Sequence, residues 1–138
     1  ASSKNAGIIV RVPLASGLLT GAFNSNTAFG PDDHRTFNRH GERFDKGETF
    51  AGIPFETGLK AVEQLKAAVP SGMNLAGLAL KWILMKNEVS CIIPGASNPE
   101  QVVANVAASA LPDLDPDLLK KINNIYNEVI RKYVHHCW

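Results

Sequence analysis

Two apolar runs constrain this 138-residue chain more than any other feature, residues 7–12 (GIIVRV) and 89–93 (VSCII). The first is β-branched and apolar on both alternating faces apart from Arg11. Proline stops each run at once, Pro13 in one case and Pro94 with Gly95 in the other. A strand apolar on both faces is the mark of a parallel strand covered by helices above and below. The sequence offers no third run of comparable strength, and two strands cannot supply the neighbours that such a sheet needs on each edge. The expectation is an α/β fold that is incomplete on its own: either part of a larger domain, or a chain whose open edges pair with a second copy.

Helical periodicity fills most of the remainder. Residues 57–69 place Leu59, Val62, Leu65 and Val69 at helical spacing before Pro70 and Gly72, and read as a surface helix. Residues 74–86 carry Leu75, Leu78, Leu80, Trp82, Ile83 and Met85 around most of the circumference. That predicts the better buried of the two helices, with Lys81 and Lys86 on its wet side. Further helices are expected over 99–109 and from 116 to about 133, the latter with Leu118, Leu119, Ile122, Ile125, Tyr126, Val129 and Ile130 on one stripe. Asp115 before Pro116 makes an N-cap and first-turn pair. Helices alternating with fully apolar strands favour a parallel sheet with crossover helices.

Composition removes several function classes. The 14 basic and 13 acidic side chains leave a net charge of +1, a poor basis for a polyanion or an anionic membrane as partner. The longest apolar stretch, broken by Lys81, falls short of the ~20 residues a membrane span requires. Cys91 and Cys137 make no disulfide framework, which fits a soluble chain in a reducing cytoplasm. No basic segment leads into an apolar core after Ala1, so no signal or transit peptide is expected.

Residues 24–54 have no clear period, and an irregular stretch well beyond ~15 residues is usually functional or disordered. Six phenylalanines, Phe23, Phe29, Phe37, Phe44, Phe50 and Phe55, fall in or beside it, interleaved with Arg35, Arg39 and Arg43. Aromatic and basic residues together suit single-stranded nucleic acid, but four basic residues here face five acidic ones. Phenylalanines pinning an excursion to the body, compatible with a lid over a ligand, fit better.

The segment Ile93–Asn105 (IPGASNPEQVVAN) joins strand to helix through a glycine. Asn98 suits the cap, Pro99 the first helical position, and Gln101 a capping box. Amides at that helix end favour phosphate, and Gly95 permits close backbone approach. Gln101 and Asn105 share one face, opposite Val102, Val103 and Val106. A well-capped helix that satisfies its own first turn explains the same residues, and both readings stand. Neither a Gly-x-Gly-x-x-Gly fingerprint nor a Walker loop is present. Residues 13–21 (PLASGLLTG) are likewise small and glycine-rich at a strand's C-terminal end, where parallel α/β folds place ligands. Arg11 faces a site there or snorkels to solvent.

Taken together, VPLASGLLTG, DDHRTFNRHGERFDKGETF, ALKWILM and IIPGASNPEQVVAN resemble the C-terminal half of an aldo-keto reductase, in the branch of bacterial reductases and potassium-channel β subunits. The resemblance spans nearly the whole chain. It implies the C-terminal portion of a (β/α)8 TIM barrel over residues 1–138, holding the last two strands, a cofactor loop over 13–56, and a final helix along the outside. It implies NADPH as cofactor and hydride transfer to an aldehyde or ketone. Val12, Pro13, Leu14, Ala15 and Ser16 match the loop along the nicotinamide and pyrophosphate, with Arg11 where many members stack an aromatic ring. Gly95, Ser97, Gln101 and Asn105 match the residues at the 2′-phosphate and adenine end. Ala22 stands where a phosphate-binding lysine is common, and Ala104 where a glutamate often reaches the adenine.

The family's catalytic aspartate, tyrosine, lysine and histidine belong to the other half, so no catalytic residue is assigned. Tyr126 and Tyr133 read as packing. His135, His136 and Cys137 lack metal-ligand spacing and read as tail, so no metal is expected. The resulting expectation is the NADPH-binding part of a carbonyl reductase, inactive by itself, with a small carbonyl substrate in the parent enzyme. Two alternatives are a non-catalytic NADPH-binding or regulatory module, and an assembly piece that completes its sheet with another chain, as a homo-oligomer or with the missing N-terminal half.

Overall fold

A computed structural model describes residues 1–43 and 45–137. Strand β1 (Ile8–Arg11) and strand β2 (Val89–Ile93) pair in parallel, with Ile9 opposite Cys91, Val10 opposite Ile92 and Arg11 opposite Ile93. The ladder is irregular between Ile8 and Ile9, where the Ile8 amide donates to Ser90 Oγ at 3.2 Å. Between the strands lie α1 (Phe55–Ala68) and α2 (Leu75–Leu84). After β2 come α3 (Pro99–Ala107), α4 (Pro116–Ile125), a π-helical turn (Tyr126–Ile130) and α5 (Arg131–Val134).

The caps explain where the helices begin. Asn98 Oδ1 accepts from the Gln101 amide at 2.9 Å and Asp115 Oδ1 from the Leu118 amide at 2.8 Å, each with proline following at the first helical position. Asn74 does the same for α2, accepting from the Gly77 amide at 2.7 Å, a cap the periodicity did not single out.

The core gathers where α1, α2 and α4 meet. Leu59 and Val62 of α1, Leu75 and Leu78 of α2, and Leu114 and Leu118 close around Leu18 and Phe55. Val62, Leu78 and Leu80 are fully buried, and each such side chain contributes about 1.5–3 kcal/mol of transfer free energy.

The strands depart from expectation. Instead of being covered on both faces they are largely open, with Ile9 63% and Ile93 52% exposed. The valines of α3 are open too, Val103 at 69%. The described residues place helices against part of a two-stranded sheet and leave the rest of its apolar surface bare. Lys81 is a second correction: its side chain is mostly buried and its Nζ meets Asp113 Oδ1 at 2.8 Å. Its amphipathic stem packs while the ammonium finds a carboxylate at the rim.

The excursion over 24–54 is built, with little regular structure, from side-chain bonds to backbone. Phe23, Phe29 and Phe55 cluster with ring centroids 5.3 to 6.3 Å apart. Buried Asn38 donates from Nδ2 to the carbonyls of Asp45 (2.7 Å) and Gly47 (3.0 Å) and accepts from the Arg43 amide at 3.1 Å. Gly47 is dictated by space and conformation, since its φ is +98° and a Cβ there would lie 2.1 Å from the Ile53 carbonyl oxygen. The pinning by aromatics therefore holds for Phe23, Phe29 and Phe55, and Phe50 stacks on His34 at 5.3 Å. Phe37 is exposed instead, and Phe44 lies outside the described residues.

Candidate functional site

The pairing of Arg11 with Ile93 brings the two candidate segments to one end of the sheet, because the chain leaves both parallel strands there. On the β1 side it enters a turn that few sequences tolerate. Val12, Ala15 and Ser16 have φ of 50°, 48° and 51°, and Gly17 follows at 95°. Non-glycine residues held there cost of order 1–3 kcal/mol each, and a β-branched residue such as Val12 is a genuine outlier. Hydrogen bonds inside the turn offset part of this: the Ala15 amide donates to the Val12 carbonyl, and the Gly17 and Leu19 amides both donate to the Leu14 carbonyl, at 3.0 to 3.1 Å. Pro13 is buried and Leu18 sits in the core, so both flanks of the turn are anchored. Arg11 and Val12 are exposed.

On the β2 side, Gly95, Ser97 and Gln101 are exposed at the strand-to-helix joint, with Asn105 one turn further along α3. Gln101 does not close a capping box on Asn98. Its Oε1 accepts from the Ser97 amide at 2.7 Å and from Ser97 Oγ at 3.1 Å, one residue before the cap. Asn105 Nδ2 donates to the Gly95 carbonyl at 3.3 Å. Both amide side chains thus brace the 95–97 turn with one of their two polar atoms. Nothing among the described residues comes within 4 Å of a Cβ built on Gly95. The absence of a side chain there is not demanded by this chain's own packing, and it leaves a patch of bare backbone ringed by Ser97, Gln101 and Asn105.

A third element reaches the same place from the excursion. Arg35 donates from Nη1 to the Ser16 carbonyl at 3.0 Å, from Nε to Asp33 Oδ1 at 2.8 Å and from Nη2 to Asp33 Oδ2 at 2.5 Å. Its guanidinium carbon lies 4.3 Å from the Phe29 ring centroid and 5.1 Å from that of Phe23. Hydrogen bonding to Arg35 holds the Asp33 carboxyl at a pKa of about 2, below its ordinary 3.8.

Two hollows adjoin these elements. A polar one of about 430 Å³ in the excursion holds the Arg39–Glu48 ion pair, at 2.6 Å. An apolar groove of about 540 Å³ starts under the turn after β1, at Pro13 and Ala15, and runs between α1, α2 and α4 past Leu65, Trp82, Ile122 and Ile130. Tyr126 also lines that groove, and its hydroxyl lies 3.0 Å from Nδ1 of His135, which is itself exposed. Tyr133 has its pKa lowered by a hydrogen bond with Thr57. Among the described residues no group of three or more His, Cys, Asp or Glu is placed to hold a metal, and no helix is long and apolar enough to cross a membrane.

The aldo/keto reductase family model matches residues 1–127. The chain belongs to the aldo/keto reductase family. Among curated proteins it is similar to a Schizosaccharomyces pombe protein whose name assigns it to the voltage-gated potassium channel β subunits, at 39% identity over 88% of this chain and 34% of that protein. The L-glyceraldehyde 3-phosphate reductase of Escherichia coli K12 is 32% identical over 74% of the chain and 28% of its own length. The NADH-specific methylglyoxal reductase of the same strain is 33% identical over 84% of the chain and 34% of its own length. The structure superposes on glycerol dehydrogenase from Gluconobacter oxydans with a TM-score of 0.73 and 25% identity, over 94% of this chain and 37% of that one. This aldo/keto reductase chain therefore spans about a third of the length of the relatives it matches.

Sequence reasoning brought out both turns of this aldo/keto reductase but missed Asp33 and Arg35. A signal was available, in an acid and a base two residues apart between phenylalanines. What no spacing reveals is the carbonyl that Arg35 meets.

Proposed function

We propose that residues 1–138 are the C-terminal portion of a (β/α)8 barrel, incomplete on its own, and form the NADPH-holding part of a carbonyl reductase. In this reading β1 and β2 are the last two strands, residues 13–56 form the cofactor loop, and the helix from Pro116 onward packs along the barrel's outside. Arg11, Val12, Pro13, Leu14, Ala15 and Ser16 lie along the nicotinamide and pyrophosphate. Gly95, Ser97, Gln101 and Asn105 hold the adenine and 2′-phosphate end.

The observation that carries the reading is the parallel register of Arg11 on Ile93, which puts those two groups of residues at one end of the sheet. The residues present suit the group. Bare backbone at Gly95 gives a phosphate room to approach, and the side-chain atoms Gln101 Nε2 and Asn105 Oδ1 make no bond within the described residues. The open faces at Ile9, Ile93 and Val103 support the same view, as surface that further strands and helices cover. When bound, NADPH supplies the hydride. The residues here hold and orient it, and the proton donor comes from outside them.

The substrate in the whole protein is a small aldehyde or ketone, in keeping with the glyceraldehyde phosphate and methylglyoxal reductases among the relatives, and the setting is the cytoplasm. Titrating NADPH with the 138-residue chain, followed by cofactor fluorescence, tests the binding. Measurable affinity with no carbonyl-dependent loss of NADPH is expected. Absence of binding contradicts the assignment of the two turns, and steady turnover contradicts the absence of a proton donor. A second reading, a non-catalytic NADPH-binding or regulatory module, is favoured by the relative named for a channel β subunit. It predicts that no carbonyl turnover appears even in a complete barrel.

A further inference from the structure

The 12–17 turn poses a mechanical question that the cofactor reading leaves open. Val12, Ala15, Ser16 and Gly17 in it occupy a left-handed conformation unfavourable to valine, alanine and serine, so something must hold it there. Bonds internal to the turn fix its closure but not its position relative to the rest of the molecule. Arg35 reaches it from 19 residues away, through Nη1 to the Ser16 carbonyl at 3.0 Å. That carbonyl lies between two left-handed residues, Ser16 and Gly17. Rotating either residue back to ordinary φ swings the Ser16–Gly17 peptide and breaks the bond.

Arg35 is itself held still. Both oxygens of Asp33 take its Nε and Nη2, while Phe23 and Phe29 line the guanidinium. Space is tight on the other side as well, since a Cβ on Gly17 would come within 3.0 Å of the Phe23 ring and 3.4 Å of Arg35 Nη1. Three directed N–H bonds and flat faces against rings are what a guanidinium offers and an ammonium does not.

We propose that Arg35 is a positioning residue for the dinucleotide loop. Clamped by Asp33, Phe23 and Phe29, it holds the Ser16 carbonyl and thereby keeps the strained turn after β1 in the shape that receives the nicotinamide and pyrophosphate. The excursion is then no passive insertion but the brace of the site. The inference rests on the cofactor reading of residues 12–16 and adds to it a residue that touches the loop and acts through it.

The test compares the full chain with its Arg35→Lys, Asp33→Asn and Gln101→Ala variants by two measurements. The first is amide hydrogen exchange at Gly17 and Leu19 without cofactor, and the second is NADPH affinity by fluorescence titration. Arg35→Lys keeps the charge but not the fork, and is expected to speed exchange at both amides and weaken NADPH binding by about tenfold or more, the scale of one charge-assisted bond. Asp33→Asn, which leaves the bond to Ser16 possible but loosens its holder, shifts both readouts in the same direction by less. Gln101→Ala weakens binding from the β2 side and leaves exchange at Gly17 and Leu19 unchanged.

Unchanged exchange in both clamp variants overturns the proposal whatever the affinities are. Faster exchange in Arg35→Lys with undiminished affinity, while Gln101→Ala binds worse, overturns the brace and leaves the β2 half of the cofactor reading standing. Faster exchange with no NADPH binding by the unmodified chain fails the cofactor reading itself, and the positioning role with it.

Discussion

The Ser16 carbonyl accepts a hydrogen bond from Arg35 Nη1 at 3.0 Å, and through that bond a structure made of an irregular loop meets one made by a strand end. The partner of Arg35 in this arrangement is Asp33, and its ionisation gives the arrangement a pH signature. Because its folded pKa of about 2 lies below the ordinary 3.8, the charged carboxylate stabilises the fold above pH 3.8, and that contribution fades as the pH falls from there through 2. A carboxyl-resolved NMR titration is expected to place the Asp33 midpoint near 2, and to return it toward 3.8 in Arg35→Ala. A midpoint already at the ordinary value in the unmodified chain contradicts the clamp.

Two glycines are expected to answer the same substitution in opposite ways. Gly47→Ala sets a Cβ 2.1 Å from the Ile53 oxygen at φ +98°, and is expected to destabilise the fold by about 1–3 kcal/mol or more. Gly95→Ala meets nothing within 4 Å, so chemical denaturation is expected to show a change within about 0.5 kcal/mol. NADPH affinity should nonetheless fall, because the added methyl occupies the ground a phosphate needs. A large stability loss at Gly95 contradicts this division.

Asn38 is fully buried and satisfies the Asp45 and Gly47 carbonyls and the Arg43 amide. Asn38→Ala strands those groups and is expected to cost about 1–3 kcal/mol, read as a lower denaturation midpoint with little change in slope. Faster proteolysis within residues 38–48 should accompany it. An unchanged midpoint contradicts the view that this asparagine organises the second half of the excursion.

Leu78→Ala removes a fully buried side chain where α2 meets α1 and α4, and is expected to cost about 2–5 kcal/mol. Val103→Ala removes a side chain that is 69% exposed and is expected to change the stability of this chain by less than about 0.5 kcal/mol. Equal effects from the two substitutions contradict the placement of the core on α1, α2 and α4.

Much of this fold is written in local pattern. β2 spans the residues that the apolar run marks, and the caps at Asn98 and Asp115 bond as their sequence signatures require. The long-range facts are less legible. A doubly apolar strand announces that it needs cover, but not whether the residues at hand supply it, and Ile9 and Ile93 are open. The π turn after Ile125 leaves no mark in the apolar stripe, because Ile122, Ile125, Tyr126, Val129 and Ile130 keep three- and four-residue spacing through it. Residues 13–21 read as small and glycine-rich, yet the turn that Val12 to Gly17 make is strained in a way that belongs to φ and not to composition. Arg35 escaped because hydrogen bonds from a side chain to a distant carbonyl follow no period.

In the proposed reading the turn after β1 and the joint after β2 form one dinucleotide site. Mapping amide chemical shifts of the chain as NADPH is added tests it most directly. The non-proline amides of residues 12–17 and 95–105 are expected to shift together along one saturation curve, with Gly17 and Gln101 among the most affected. Shifts confined to one of the two segments, or centred on Trp82 and Ile130 at the far part of the apolar groove, contradict it.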